Sequence, residues 1–240
     1  MKIYTFATHR QGLFDELINN KFVDIRVVGF GSTWKGFMDR ISQIQKAIVE
    51  DAVPDDEILV CLDGFDSRIR LDPKIALERY EQAFPSHPVL YSKDPQDFFS
   101  YKYLQKKVFL GDLSAGMYMG PAGKVRRVLS ACLELNESDD QRAVNIVAKD
   151  KKYEVIQDTQ ELIFKNVAKF KRGPKCTSDE TDAVFISCPG DKGIKRLVES
   201  FTRYIWKDVL CCFIIFCFAL FTLFRFFRKN RLNDCLSREI

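Results

Sequence analysis

Histidine and tryptophan are scarce in this chain, which has two residues of each, and none of its eight cysteines forms a C-x-x-C pair. Zinc sites need clustered cysteine or histidine ligands, so the sequence argues against a zinc-binding protein. The net charge is only +4, and the basic residues are dispersed until the C-terminus, so no nucleic-acid-binding surface is indicated. Residues 1–7 read directly as a β-strand, without the long apolar stretch of a signal peptide.

The remaining composition, 46% hydrophobic and 29% charged, is typical of a folded globular protein. Predicted strands alternate with predicted helices over residues 1–200, which indicates one α/β domain. We expect a juxtamembrane segment at 201–207, a transmembrane helix at 208–227 and a basic tail at 228–240.

The predicted helix at 208–227 is almost free of charge, with Trp206 before it and a basic cluster around Arg228 after it. These flanks are typical of a single membrane span, whereas a buried core helix is the alternative. Basic residues are balanced on the two sides, so charge does not set the orientation. Because no signal peptide is recognised, we expect the domain at 1–200 to lie in the cytosol, with a lumenal location as the alternative.

The apolar run Ile58–Leu62 predicts a strand that is buried on both faces, as in the centre of a parallel sheet. Asp63 and Asp66 follow it, and ligands of open α/β sheets bind at the carboxyl ends of strands. Carboxylate oxygens suit Mg²⁺ or Mn²⁺, and Mg²⁺ typically binds one or two carboxylates plus substrate phosphates. The alternative is a strand that ends in an acidic turn.

A second informative region combines a glycine-rich stretch at 110–123 with a helix start at Ser138-Asp-Asp-Gln. Ser138 is the predicted N-cap and Gln141 holds the capping-box position. Acidic residues favour helix N-termini, so Asp139 and Asp140 are either helix-start residues or functional carboxylates.

In order and spacing, the motifs resemble the glycosyltransferase domain of the procollagen lysyl hydroxylases and their stand-alone, often viral, relatives. The resemblance covers nearly all of residues 1–200. Its motifs are Thr5-Phe-Ala-Thr, the Gly29–Lys35 segment ending in Trp-Lys, Leu62-Asp-Gly-Phe-Asp, Ser114-Ala-Gly-Met-Tyr-Met-Gly, Ser138-Asp-Asp-Gln and Glu161-Leu-Ile-Phe-Lys-Asn. The resemblance implies a GT-A fold, a Rossmann-like sandwich that binds a UDP-sugar donor through Mn²⁺ (or Mg²⁺).

The resemblance also implies roles for individual residues. Asp63 and Asp66 would hold the metal, and Asp139 and Asp140 would face the sugar and the acceptor as catalytic groups. The residues implied in donor binding are the uracil-stacking Phe65, the diphosphate-binding Arg40, and Thr8, Trp34, Ser114 and Gly116.

This chain departs from the family at several of these positions. Phe65 stands where the family more often has tyrosine, and Ser114-Ala-Gly replaces an Asn-Ser-Gly segment. Ser187 occupies the position of the histidine that is the family's third metal ligand, and a hydroxyl is a poor substitute for it. Cys188 is softer than Mn²⁺ prefers, and Asp191 lies further along the loop.

We therefore expect a membrane-anchored, UDP-sugar-dependent glycosyltransferase that acts on an unidentified hydroxyl acceptor. The missing histidine motivates an alternative, a catalytically inactive GT-A-like module that binds a nucleotide-sugar or a protein at a membrane. A haloacid-dehalogenase-type phosphatase using Asp63 is disfavoured, because that chemistry needs two aspartates separated by one residue and here two residues intervene.

Overall fold

The structure, a computed structural model, describes residues 1–94, 106, 108–167, 181–189, 206, 210, 213–218 and 220–221. It divides the chain into two compact units, Met1–Gly193 and Ile194–Ile240. In the second unit, residues 213–218 are helical and exposed. No helix among the described residues is long and apolar enough to cross a membrane. The rest of the expected 208–227 helix lies outside those residues, so the membrane span stays a prediction.

The first unit alternates strands with helices, as expected. Its strands are β1 (Lys2–Phe6), β2 (Ile25–Val28), β3 (Ile58–Asp63), β4 (Ser67–Ile69), β5 (Val89–Lys93), β6 (Leu113–Pro121), β7 (Val155–Gln157), β8 (Phe164–Asn166) and β9 (Phe185–Ser187). Its helices include α1 (Phe14–Ile18), α2 (Phe37–Glu50), α3 (Pro73–Ala83), α4 (Ala122–Glu134) and α5 (Asp140–Val147). The α/β fold class is therefore confirmed.

The main sheet has six strands in the order β2-β1-β3-β6-β5-β7. Strand β3 is parallel to β1 but antiparallel to β6 on its other side. The expectation that β3 lies within a parallel sheet is therefore wrong on one side. A continuous apolar run reports burial on both faces, and it carries no information about the direction of the neighbouring strand.

Strand β3 separates two apolar cores, since successive side chains of a strand point to opposite faces. Leu59 and Cys61 face a core formed with α2, α4 and α5, whereas Val60 and Leu62 face a core formed with α3 and the smaller sheet. Cys61 is 1% exposed, and burial raises the pKa of its thiol to about 12. Cys61 is therefore a small buried core residue.

A second sheet of three strands, in the order β4-β9-β8, lies next to the carboxyl end of β3. The backbone N–H of Cys188, just after β9, donates to the carbonyl oxygen of Asp66 at 2.7 Å. Ser187 is the register partner of both Ser67 in β4 and Asn166 in β8. The late segment of the chain is thus held against the acidic turn that follows β3.

Candidate active site

The turn that carries Asp63 and Asp66 is fixed by hydrogen bonds of its own. The Oδ1 atom of Asp63 accepts the backbone N–H groups of Phe65 at 2.9 Å and of Asp66 at 3.3 Å. Gly64 is required here, because a Cβ atom would lie 2.4 Å from the carbonyl oxygen of Phe6 in β1. The turn therefore abuts the end of β1 and leaves both aspartates only partly buried.

Arg40, in the first turn of α2, connects this turn to the start of α5. Its Nη1 donates to Oδ2 of Asp63 at 2.8 Å, and its Nη2 donates to Oδ2 of Asp140 and, at 3.2 Å, to the carbonyl oxygen of Ala115. The Arg40 side chain is 11% exposed. Burial opposes its charged form, but the nearby carboxylates of Asp140 and Asp63 outweigh that effect and raise the pKa of Arg40. The guanidinium is therefore a fixed positive charge between two carboxylates.

Asp139 and Asp140 do start a helix, but the cap differs from the predicted one. Asp139 is the N-cap of α5 and accepts the backbone N–H of Arg142 at 3.0 Å, so the assignment of Ser138 as cap is wrong. The amide of Gln141 donates to Asp94 at 2.5 Å and does not close a capping box. A run of several good capping residues leaves the cap position open in sequence alone. Asp140 is 0% exposed, and its Oδ1 accepts the backbone N–H of Gln141 at 2.8 Å.

Helix α5 is anchored to the start of β6 through Asn145, in the second turn of the helix. This buried side chain accepts from the N–H of Leu113 and donates to the carbonyl of Leu113, both at 3.1 Å. Because β6 is antiparallel to β3, its first residues lie at the carboxyl end of β3. A Cβ atom on Gly116 would lie 3.8 Å from Cβ of Asp63. Ser114 and Gly116 are thereby placed next to the acidic turn.

The residues expected to bind the nucleotide lie along the ends of β1 and β3. Thr8 follows β1 and is 6% exposed, and its hydroxyl hydrogen-bonds Nδ1 of His9 at 2.9 Å. The His9 ring lies 5.2 Å from the ring of Phe65. Trp34 is 43% exposed, and its ring lies 5.9 Å from that of Phe6. His9 is the residue that the sequence did not assign to this group, because its contact with Phe65 requires knowledge of the fold.

The position expected for a third metal ligand holds no ionisable side chain. Ser187 is 3% exposed and lies within the second sheet, between Ser67 and Asn166. Cys188 is disulfide-bonded and therefore offers no thiolate. Asp191 lies outside the described residues. Within the part of the chain that the structure describes, no three histidine, cysteine, aspartate or glutamate side chains form a metal-binding group.

Comparison with known proteins identifies the family. The family described as the PLOD GT domain matches residues 1–189. The chain belongs to this family. The predicted resemblance to the glycosyltransferase domain of the procollagen lysyl hydroxylases is thus confirmed over residues 1–189.

A solved structure supports the same fold. It is the crystal structure of a glycosyltransferase involved in the glycosylation of the major capsid of PBCV-1, to which the chain is 12% identical. The match covers 84% of this chain and 98% of that chain, with a TM-score of 0.50. Similarity at this identity supports the fold alone. No curated protein matches the chain in sequence.

Proposed function

We propose that the chain transfers a hexose from a UDP-sugar to a hydroxyl acceptor, either a hydroxylysine-type protein side chain or a glycan. The observation that carries the proposal is the buried bridge from Asp63 through Arg40 to Asp140. This bridge joins the acidic turn, where the diphosphate would bind, to the helix start that would face the sugar and acceptor. An ordinary acidic turn has no need of a buried guanidinium that links it to a second carboxylate.

The charge of this edge favours a divalent cation in the complex. Four carboxylates, of Asp63, Asp66, Asp139 and Asp140, are brought to this edge, and the guanidinium of Arg40 is paired with two of them, Asp63 and Asp140. A nucleoside diphosphate is also an anion, so it would be repelled unless a cation is bound between them.

The donor atoms of the turn fit Mn²⁺ or Mg²⁺ held partly by the substrate. Oδ1 of Asp63 already accepts two N–H groups, and Oδ2 accepts one from Arg40, which leaves one lone pair on Oδ2. Asp66 provides a second carboxylate, and phosphate oxygens complete such sites. When bound, the metal would act as a Lewis acid that neutralises the leaving diphosphate.

In the reaction, the acceptor oxygen forms a bond to C1 of the hexose while the bond from C1 to the diphosphate oxygen breaks and UDP leaves. The acceptor proton passes to a carboxylate, for which Asp139 is the better placed because it retains 6% exposure and Asp140 has none. Asp140 is held by Arg40 and positions that helix start. The positive charge that develops on the sugar in the transition state would be stabilised by the carboxylates of Asp139 and Asp140.

The test is UDP release from a panel of UDP-sugars, compared between the wild type and Asp139→Asn. We expect turnover with at least one donor and a loss of about 100-fold or more in the variant, the usual scale for a catalytic acid or base. Equal turnover in a folded Asp139→Asn would remove Asp139 from the mechanism.

A second candidate function is a catalytically inactive module that binds a nucleotide-sugar or a protein. It is favoured by Ser187, which stands where the family's histidine ligand is expected. Nucleotide binding without UDP release from any donor would support this second function.

We further propose that residues 208–227 anchor the chain in a membrane. The disulfide at Cys188 favours a lumenal first unit over the cytosolic one expected from the sequence, because disulfides persist in oxidising compartments. Deletion of residues 208–240 should move the protein from the membrane fraction to the soluble fraction. A truncated protein that resists carbonate extraction would contradict the anchor, and protease protection in sealed vesicles reports its orientation.

A further inference from the structure

His9 connects the two residues that flank the expected base-binding surface. Its ring packs on Phe65, which lies between the carboxylates of Asp63 and Asp66. Its Nδ1 atom hydrogen-bonds the Thr8 hydroxyl at 2.9 Å, and its Nε2 atom hydrogen-bonds Oε1 of Gln11 at 3.0 Å. Both ring nitrogens are therefore engaged, and the ring is fixed beside the acidic turn.

The two hydrogen bonds determine which atom donates and which accepts along the chain from Thr8 through His9 to Gln11. A glutamine Oε1 atom only accepts, so Nε2 of His9 carries the ring proton and donates it to Gln11. In that tautomer Nδ1 has a lone pair, which accepts the hydroxyl proton of Thr8. The single proton of the Thr8 hydroxyl is then committed to His9. Toward a ligand, the Thr8 oxygen can only accept a hydrogen bond.

A diphosphate at the acidic turn brings its nucleoside to this surface. Phe65 lies within the turn itself, and its ring contacts that of His9. A nucleotide whose diphosphate is bound at the turn would place its base, one ribose away, at these two rings. Thr8 lies at the end of β1, hydrogen-bonded to the His9 ring, and the residue is 6% exposed. The edge of a base that lies on the rings would then face the Thr8 hydroxyl.

We propose that Gln11 and His9 make Thr8 a hydrogen-bond acceptor that selects uracil over cytosine. Uracil carries an N3–H donor, which matches an acceptor, whereas N3 of cytosine is itself an acceptor. Two acceptors placed face to face leave buried polar atoms unpaired, a cost that sites built for a hydrogen bond use to reject analogues. This inference rests on the proposed function, since it assumes that the turn binds a nucleoside diphosphate.

The experiment measures the affinities of UDP and CDP by isothermal titration in the presence of Mn²⁺. We expect the wild type to bind UDP about 10-fold or more tightly than CDP, the scale of one unmatched hydrogen bond. His9→Phe keeps the ring on Phe65 but removes both nitrogens, so the Thr8 hydroxyl can rotate and donate. The UDP-to-CDP ratio should then fall to about 3 or less. Gln11→Leu should lower the ratio less, because both histidine tautomers become accessible.

Matched variants separate this role from a structural one. His87→Phe is the same substitution at a histidine that is stacked on Tyr80 and precedes β5, at the amino ends of β3 and β5 and away from the acidic turn, and it should leave the ratio unchanged. Thr8→Ser keeps the hydroxyl and should keep the ratio of UDP to CDP affinity. Thr8→Val removes the hydroxyl and should make the two affinities equal. Should His9→Phe fail to fold, Gln11→Leu still tests the orientation of the Thr8 hydroxyl, and Thr8→Val tests its contact with the base.

The outcomes distinguish this inference from the proposed function. The inference is contradicted by a wild type that binds UDP and CDP equally, or by a folded His9→Phe that keeps the wild-type ratio of UDP to CDP affinity. In either case, UDP binding still supports a nucleotide-sugar site. A wild type that binds neither nucleotide with Mn²⁺ overturns both.

Discussion

The two sides of the candidate site differ in the buried polar groups that they contain. On one side, Arg40 lies between Asp63 and Asp140, so buried charges are paired with each other. On the other side, the second sheet presents a row of uncharged groups, Ser67, Ser187 and Asn166, at one register position. Ser67 Oγ and Asn166 Oδ1 in this row have no hydrogen-bond partner among the described residues.

This difference indicates where the site depends on charge. The Arg40 side has both the carboxylates and the cation that compensates them, so loss of one partner leaves an unpaired buried charge. The row in the second sheet has no charge to compensate, and changes there should be mild. A metal held between the two sides would receive charged ligands from one side only.

Arg40→Gln should have the largest effect on this comparison. It removes the guanidinium that is paired with Asp140, whose side chain is 1% exposed, and we expect a loss of about 3–5 kcal/mol in the free energy of unfolding, with loss of turnover. Chemical denaturation measures the first effect and UDP release the second. Arg40→Lys should be intermediate, because an ammonium cannot reproduce the forked contact.

A surface pair provides the matched control for Arg40. Arg26 is 54% exposed and lies 3.3 Å from Asp51, so Arg26→Gln should cost less than about 1 kcal/mol. Similar losses in Arg40→Gln and Arg26→Gln would contradict the buried charge bridge. The double variant Arg40→Met/Asp140→Leu should recover stability without activity, because an apolar pair removes the unpaired charge.

Ser187→His should sharpen the comparison by giving the uncharged side a metal ligand. We expect Mn²⁺ affinity to rise by about 10-fold, the scale on which contacts at metal sites act, and donor turnover to rise with it. Mn²⁺ titration without nucleotide reports the change, with Ser187→Ala as the control for loss of the hydroxyl. Unchanged Mn²⁺ affinity in a folded variant would show that β9 does not face the metal.

Ser67→Ala should have the smallest effect. The Ser67 hydroxyl is fully buried and has no hydrogen-bond partner in the part of the chain that the structure describes, so its removal should be neutral or stabilising by about 1 kcal/mol. Ser92→Ala is the contrast, because Ser92 Oγ accepts from Nδ2 of Asn166 at 3.1 Å and its loss should cost about 1 kcal/mol. A clear destabilisation by Ser67→Ala would mean that this hydroxyl has a partner after all.

The sequence predicted the local features of the site better than its connections. The strand that ends at Asp63 was predicted because a long apolar run followed by acids has few other interpretations. Helix α3 likewise begins with a local signal, because proline is favoured in a first turn and the Asp72 side chain caps the helix by accepting the N–H of Lys74 at 2.9 Å. Both signals lie within a few residues of the element they define.

Contacts between distant parts of the chain were not predictable in this way. Arg40 was expected on the diphosphate, but two of its bonds reach Asp63 and Asp140, and the latter lies 100 residues further along the chain. The antiparallel direction of β6 and the ring contact of His9 with Phe65 also follow from packing alone. Tertiary contacts of this kind leave no periodicity in the sequence.

The central claim is that the acidic turn with Asp63 and Asp66 binds UDP together with a divalent metal. The decisive measurement is the affinity for UDP with Mn²⁺ and with a chelator, for the wild type, for Asp66→Asn and for the control Asp72→Asn, which keeps a good helix cap. We predict that Mn²⁺ tightens UDP binding by about 10-fold or more in the wild type and the control, and that this increase is absent in Asp66→Asn. A folded Asp66→Asn with the full Mn²⁺ effect, or a wild type without one, would contradict the account.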